Sequence, residues 1–213
     1  IKAYKPDSSS VGSGQVLQCP YEFEKAKLVV KEMADLLVLD LVDKGLVTNQ
    51  IVLTAGYDIE NLTDPERRRA YTGSVTTDHY GRKIPKHAHG TINIGRWTSS
   101  TMLITKAAME LFDQIVNPSL LVRRVNITAN HVMPENSVPK EDFAEQLDLF
   151  TDYSAIEKQR EEEKAVLERE KKLQKAALDI KKKFGKNAIL KGMNLQEGAT
   201  AKDRNKQIGG HKA

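Results

Sequence analysis

The first 134 residues of this 213-residue sequence predict an α+β fold of the βαββαβ type: a four-stranded antiparallel sheet with two helices on one face. Two observations carry that reading. Apolar residues recur at spacings of three and four in two segments. They alternate with polar residues in four others, and the two kinds of segment follow one another in β-α-β-β-α-β order.

Residues 1–8 are polar, contain Pro6, and read as a linker that runs into a first strand near Val11–Leu17, closed by Cys19-Pro20. From Tyr21 to about Lys44 the spacing turns helical, with Phe23, Ala26, Val30, Met33, Leu37 and Leu41 on one stripe and Gly45 as the stop. Gln50–Asp58 is the second strand, with Ile51, Leu53, Ala55 and Tyr57 on one face. A polar segment of about thirty residues follows, a length that usually marks function or disorder. Gly90–Thr98 is the third strand. Ser99 or Ser100 is placed to cap a second helix, with Ile104, Ala108, Leu111 and Ile115 buried, and Asn117-Pro118 ends it. Leu121–Val132 is the last strand, where Val125, Ile127 and Ala129 alternate with Arg124, Asn126, Thr128 and Asn130. With both helices on one face, the other stays open and carries Thr, Asn, Arg, Ser and Gly side chains suited to a polar partner.

Residues 135–152 form a poorly periodic connector containing Pro139 and the string Gln146-Leu147-Asp148-Leu149-Phe150. Residues 153–213 read as a charged helical and flexible tail: a solvated helix to about Lys183, then Gly-, Lys- and Asn-rich sequence not expected to pack alone. The net charge of +4 is unevenly spread. Residues 1–150 carry 17 Lys/Arg and 19 Asp/Glu, whereas residues 151–213 carry 16 and 10. The basic balance therefore belongs to the tail and does not by itself make the globular part a nucleic-acid binder. Cys19 is the only cysteine, which excludes an intramolecular disulfide and fits a reducing cytoplasm. No apolar run approaches the roughly 20 residues of a membrane span, and the opening Ile1 suggests a piece of a longer chain.

The order of elements, the Ser8-Ser9-Ser10-Val11-Gly12-Ser13-Gly14-Gln15 opening and the GTINIGRW strand before Thr98, Ser99 and Ser100 resemble the little finger domain of Y-family translesion DNA polymerases. The closing FGKNAILKGMNLQEGAT…RNKQIGGHKA resembles the C-terminal tail of Gram-positive relatives of the polymerase V catalytic subunit. That resemblance implies a domain, residues 9–134, on the major-groove side of primer–template DNA, in an enzyme of the SOS response to DNA damage. It places the catalytic carboxylates and their magnesium in a palm domain outside this sequence, and implies no cofactor or catalytic residue here. It also implies that the tail serves the recombinase filament or an accessory subunit.

Three groups of residues are candidates for contact. Arg67, Arg68, Arg69, Arg82, Lys83, Lys86 and Arg96 stand against one acid, Asp78, with Tyr71, Tyr80 and Trp97 among or beside them; such cations neutralise phosphates. Arg124, Asn126 and Thr128, with Thr91, Asn93 and the Ser9, Ser10, Gly12, Ser13 stretch, form the expected phosphate-facing surface, joined by Thr98 and Ser99. Gln146–Phe150 fills every position of a bacterial sliding-clamp-binding pentapeptide of the form QL[SD]LF, in which Leu149 and Phe150 bury apolar area at roughly 25 cal/mol per Å². His87 and His89 alternate, but no Cys or carboxylate pair completes a metal site, and none is expected. The alternatives are a protein–protein scaffold with a helical tail, which would want a sustained heptad, and an RNA-binding βαββαβ domain, which would want aromatics on the central strands. Neither feature is present in the sequence.

Overall fold

Four long strands pair antiparallel in an order that interleaves two crossover units. In the computed structural model, which describes residues 9–138, 153–208 and 211–212, the chain runs β1 (Val11–Tyr21), α1 (Phe23–Asp43), β2 (Leu46–Tyr57), α2 (Glu60–Thr63), α3 (Pro65–Ala70), β3 (Val75–Thr77), β4 (Lys83–Pro85), β5 (Ala88–Thr98), α4 (Thr101–Ile115) and β6 (Val122–Asn130). A two-residue β7 (Met133–Pro134) follows, then α5 (Tyr153–Phe184), α6 (Ala201–Arg204), β8 (Gln207–Ile208) and β9 (His211–Lys212). The sheet order is β1-β6-β2-β5, with β7 on the end of β2. β1 and β2 are both antiparallel to β6 and hence parallel to each other, as the α1 crossover requires; β5 and β6 flank β2 in the same way, with α4 as their crossover.

The core lies between the sheet and the α1/α4 layer. Leu17, Ile51, Leu53, Val125 and Ile127 from the strands meet Val30, Met33, Leu37, Ile104, Leu111 and Phe112 from the helices. The Phe23 and Phe112 rings pack with centroids 4.9 Å apart. Ser100 caps α4 by accepting from the Leu103 amide at 3.2 Å, and Gly45 takes φ +64 just past the end of α1, a conformation that costs glycine little.

The elements run longer than the sequence suggests at several ends. β1 passes through Cys19-Pro20 to Tyr21 because an irregularity after Val16 lets Tyr21 pair again, with Val122. The thirty-residue segment after β2 is built: Asp64 caps α3 through the Arg67 amide at 2.8 Å, with Pro65 at the first helical position, and β3 and β4 pair as a hairpin. Asn61, fully buried, fastens the start of this segment to the sheet. Its side chain donates to the Asp58 and Leu121 carbonyls, both at 2.9 Å, and accepts from the Leu121 amide at 2.8 Å.

The tail lies against the helix layer. Its ion pairs join Arg96 to Glu163, Lys171 to Glu135, Lys182 to Asp43, Lys191 to Asp35 and Lys25 to Glu197. Glu170 accepts from the Met102 amide at 2.9 Å and the Ser100 hydroxyl at 2.5 Å, placing a carboxylate at the positive N-terminus of α4. Because the tail covers its outer side, α1 buries Glu32 and Asp35 as well as its apolar stripe. Glu32 is 1% exposed and accepts from Asn194 Nδ2 at 2.7 Å, the Thr200 amide at 2.7 Å and the Ala201 amide at 3.0 Å. The residues after Phe184, which alone have no periodicity, take their order from α1. The connector residues 139–152, with Gln146, Leu147, Asp148, Leu149 and Phe150, lie outside the described residues, as does the linker 1–8.

Candidate nucleic-acid interface

Opposite the helices the sheet face carries rows of polar side chains set by strand register. One row reads Gly12, Thr128, Val52, Thr91 across β1, β6, β2 and β5; the next reads Gly14, Asn126, Thr54, His89. Arg124 opposes Val16 on one side and Gly56 on the other, and Asn130, Gln50 and Asn93 complete a third row across β6, β2 and β5. Side chains tie the rows together: Gln50 Nε2 donates to Asn93 Oδ1 at 2.8 Å, Asn130 Nδ2 to Gln50 Oε1 at 3.2 Å, and Thr54 Oγ1 lies 2.9 Å from His89 Nδ1.

Glycines on both sides leave room for the β6 side chains. A Cβ on Gly12 would stand 2.6 Å from Thr128 Oγ1, one on Gly14 2.1 Å from Asn126 Oδ1, and one on Gly56 2.6 Å from Arg124 Nε. Arg124 therefore lies across Gly56 and its neighbours project over bare backbone. β1 is an edge strand of the described sheet, so Thr128 and Asn126 reach across it at the border of the face.

A basic arm projects from the Tyr57–Ala88 end of the β2–β5 pair, the end where Arg124 sits. Arg67, Arg68 and Arg69 fill the last turn of α3; Arg67 is half-buried with Nη1 3.4 Å from the Ser119 carbonyl, and Arg68 is exposed. In the β3–β4 hairpin, Asp78 accepts from the Tyr80 and Arg82 amides, each at 2.9 Å, and from Arg82 Nε at 2.8 Å. These bonds from Arg82 hold the Asp78 carboxyl below the usual range and raise the guanidinium. Arg82 stacks 5.0 Å over the exposed Tyr80 ring, and Lys83 points to solvent.

The structure thus brings Gly12, Thr91, Asn93, Arg124, Asn126 and Thr128 onto one face, with Ser9 and Ser10 exposed at its β1 border. Four expected residues lie elsewhere. Ser13 opposes Ile127 and faces the helices. Thr98 stands an odd number of positions from Thr91 and Asn93, beyond a β2–β5 register shift between Thr48 and Gln50 and Gly95 at φ +84, so alternation does not place it with them. Thr98 is buried and its hydroxyl accepts from the Ser100 amide at 3.0 Å. Arg96 is paired with Glu163, and the Ser99 carbonyl accepts from Gln174 at 2.9 Å; both are contacts to α5. Gln50, Thr54 and His89 were not expected. Gln50 and Thr54 follow from alternation against Ile51 and Leu53, whereas His89 falls just before the strand start that the sequence suggests.

The family model for the impB/mucB/samB family C-terminal domain matches residues 8–149. The chain belongs to that family. The matched residues span the whole sheet, both core helices and the basic arm. No curated protein matches the chain. Among solved structures, a complex of beta-clamp processivity factor and the little finger domain of PolIV aligns with a TM-score of 0.37 at 10% identity, covering 67% of this chain and 100% of that one. No helix among the described residues is long and apolar enough to cross a membrane.

Proposed function

We propose that this little finger domain grips primer–template DNA on its open sheet face, as part of an error-prone, cytoplasmic translesion polymerase of the SOS response related to the polymerase V catalytic subunit of Gram-positive bacteria. The observation that carries the reading is the face itself: Arg124, Asn126 and Thr128 lie over Gly56, Gly14 and Gly12, so a cation and hydrogen-bonding groups are presented side by side on one face. Groups of this kind hold phosphates without reading bases, which suits an enzyme that must accept any damaged template. The basic arm adds Arg67, Arg68, Arg82 and Lys83 at the end of the sheet where Arg124 lies. Gln146–Phe150 tethers the polymerase to the bacterial sliding clamp, raising its local concentration at the primer terminus.

Anisotropy of a labelled primer–template titrated with the chain at several salt concentrations tests the DNA reading. Affinity should fall steeply with salt, and Arg124→Gln should make the slope shallower by about 0.9. Salt-independent binding, or a slope that Arg124→Gln leaves unchanged, would refute it. For the clamp, changing Leu149 and Phe150 to Ala should abolish binding that the parent chain shows; equal binding by both would refute the tether.

A further inference from the structure

Beside β1 the sheet edge borders a groove of about 870 Å³ that continues from the open face toward the tail. Gly14, Gln18, Arg124 and Asn126 line it from the sheet, and Lys186 and Arg204 from the tail. Thr200 ties the tail to the sheet there, its Oγ1 donating to Gln15 Oε1 at 3.2 Å, and within the tail the Arg204 amide donates to the Thr200 carbonyl at 2.9 Å.

Arg204 is short of acceptors. Its Nη1 is buried and has no hydrogen-bond partner among the described residues. The carboxylate that acts on it, Glu32, already receives Asn194 on one oxygen and the Thr200 and Ala201 amides on the other. Burial lowers the Arg204 pKa, which marks a guanidinium stripped of water without full compensation. A buried donor in that condition calls for an anion or water in the space beside it. Two carboxylates also line the groove, Asp40 and Asp203, but Asp40 is paired with Lys44 at 2.7 Å.

We propose that this groove holds a backbone phosphate of the same nucleic acid that lies on the open face, with Arg204 and Lys186 as its cations. The inference rests on the DNA-gripping reading above and extends it around the sheet edge into the tail. The groove shares Arg124 and Asn126 with the face, so a strand leaving the face over Gly14 meets Arg204 and Lys186 next. A guanidinium fork suits a phosphodiester.

Salt-dependent binding of the whole chain to a labelled primer–template separates the two ideas. Lys186 is exposed, so Lys186→Gln removes a charge with no packing cost, while Arg204→Gln removes the buried group and Arg204→Lys keeps its charge. Lys186→Gln and Arg204→Gln should each make the slope of log affinity against log salt shallower by about 0.9, and the Lys variant at 204 should restore it. An unchanged slope in both Gln variants, with a shallower one in Arg124→Gln, overturns the groove and leaves the sheet face standing. No binding by the unsubstituted chain overturns both. A fall confined to Arg204→Gln and accompanied by loss of amide protection at Thr200 and Ala201 assigns Arg204 to packing and also overturns the groove.

Discussion

Replacing Glu32 by Ala should release the end of the tail from α1 while the sheet stays folded. The carboxylate is 1% exposed and receives Asn194 Nδ2, the Thr200 amide and the Ala201 amide at 2.7, 2.7 and 3.0 Å. Hydrogen bonds to a charged group contribute about 1.5–3 kcal/mol each, so three would suggest more than about 5 kcal/mol. Burying the carboxylate costs part of that, and the freed donors regain water if the tail lifts away, so a net loss of about 3 kcal/mol is the better figure. At about 1.4 kcal/mol per factor of ten, the detached population should rise roughly 150-fold. Hydrogen exchange followed by mass spectrometry reads this directly: protection around Thr200 and Ala201 should collapse, whereas that of Val125 and Ile127 in the sheet centre should hold. Glu32→Gln should also weaken docking, since an amide puts N–H groups opposite other donors. Full protection at Thr200 and Ala201 in Glu32→Ala would refute the view that this carboxylate anchors the tail.

Other consequences can be measured on the same chain. Asn61→Ala removes three buried hydrogen bonds, two to Leu121 at the entry to β6 and one to Asp58; it should lower stability by about 2–4 kcal/mol, read as a drop in urea midpoint at constant m-value. Gly14→Val would put a Cβ 2.1 Å from Asn126 Oδ1. The exposed Asn126 side chain can swing aside, so the thermal midpoint should move little while primer–template affinity falls. The lowered Asp78 pKa makes hairpin order depend on pH in one direction. The stabilisation is complete above the ordinary value of 3.8 and is lost as pH falls through the lower folded value. Protection at Tyr80 and Arg82 that survives to the acid limit of the fold would show that the carboxylate does not hold the turn.

Local periodicity carried the sheet and its open face. Val125, Ile127 and Ala129 alternate with Arg124, Asn126 and Thr128 in a central strand, and burial of one set leaves the other on the far side whatever the neighbours are. Where alternation breaks, inference from it fails. Gly95 at φ +84 and the register shift opposite it end the simple alternation of β5, and Thr98, an odd number of positions from Thr91 and Asn93, is not placed with them by alternation in any case. The arm was legible as charge but not as structure, because its elements rest on caps and single side chains: Asp64 on α3, Asp78 in the hairpin, Asn61 against β6. The packing of the tail was hidden for a different reason. Its anchors pair residues far apart in the chain, such as Glu32 with Thr200 and Ser99 with Gln174, and a charged stretch looks equally suited to water until its partners are known.

The tail's attachment also explains why a chain with so many charges orders its last third. Exposed ion pairs contribute little individually, about 0–1 kcal/mol, and salt screens them. Lys25–Glu197, Lys182–Asp43 and Lys171–Glu135 are of that kind and cannot account for the docking. The contacts that can involve shielded side chains: the buried Glu32 beneath Thr200 and Ala201, the buried Gln174 donating to the Ser99 carbonyl and Thr101 hydroxyl at 2.9 Å each, and the half-buried Glu170 on the first turn of α4. Each satisfies a group that the α1/α4 layer would otherwise leave to solvent, and two of them engage the N-terminal end of α4, whose first residues follow directly from β5. The outer surface of the helices is thus given to the tail, and among the described residues the far surface of the sheet is left uncovered. β5 links the two, with Asn93 on the open face and Arg96 paired to α5 three residues later. The open face and the docked α5 are therefore connected through a single strand.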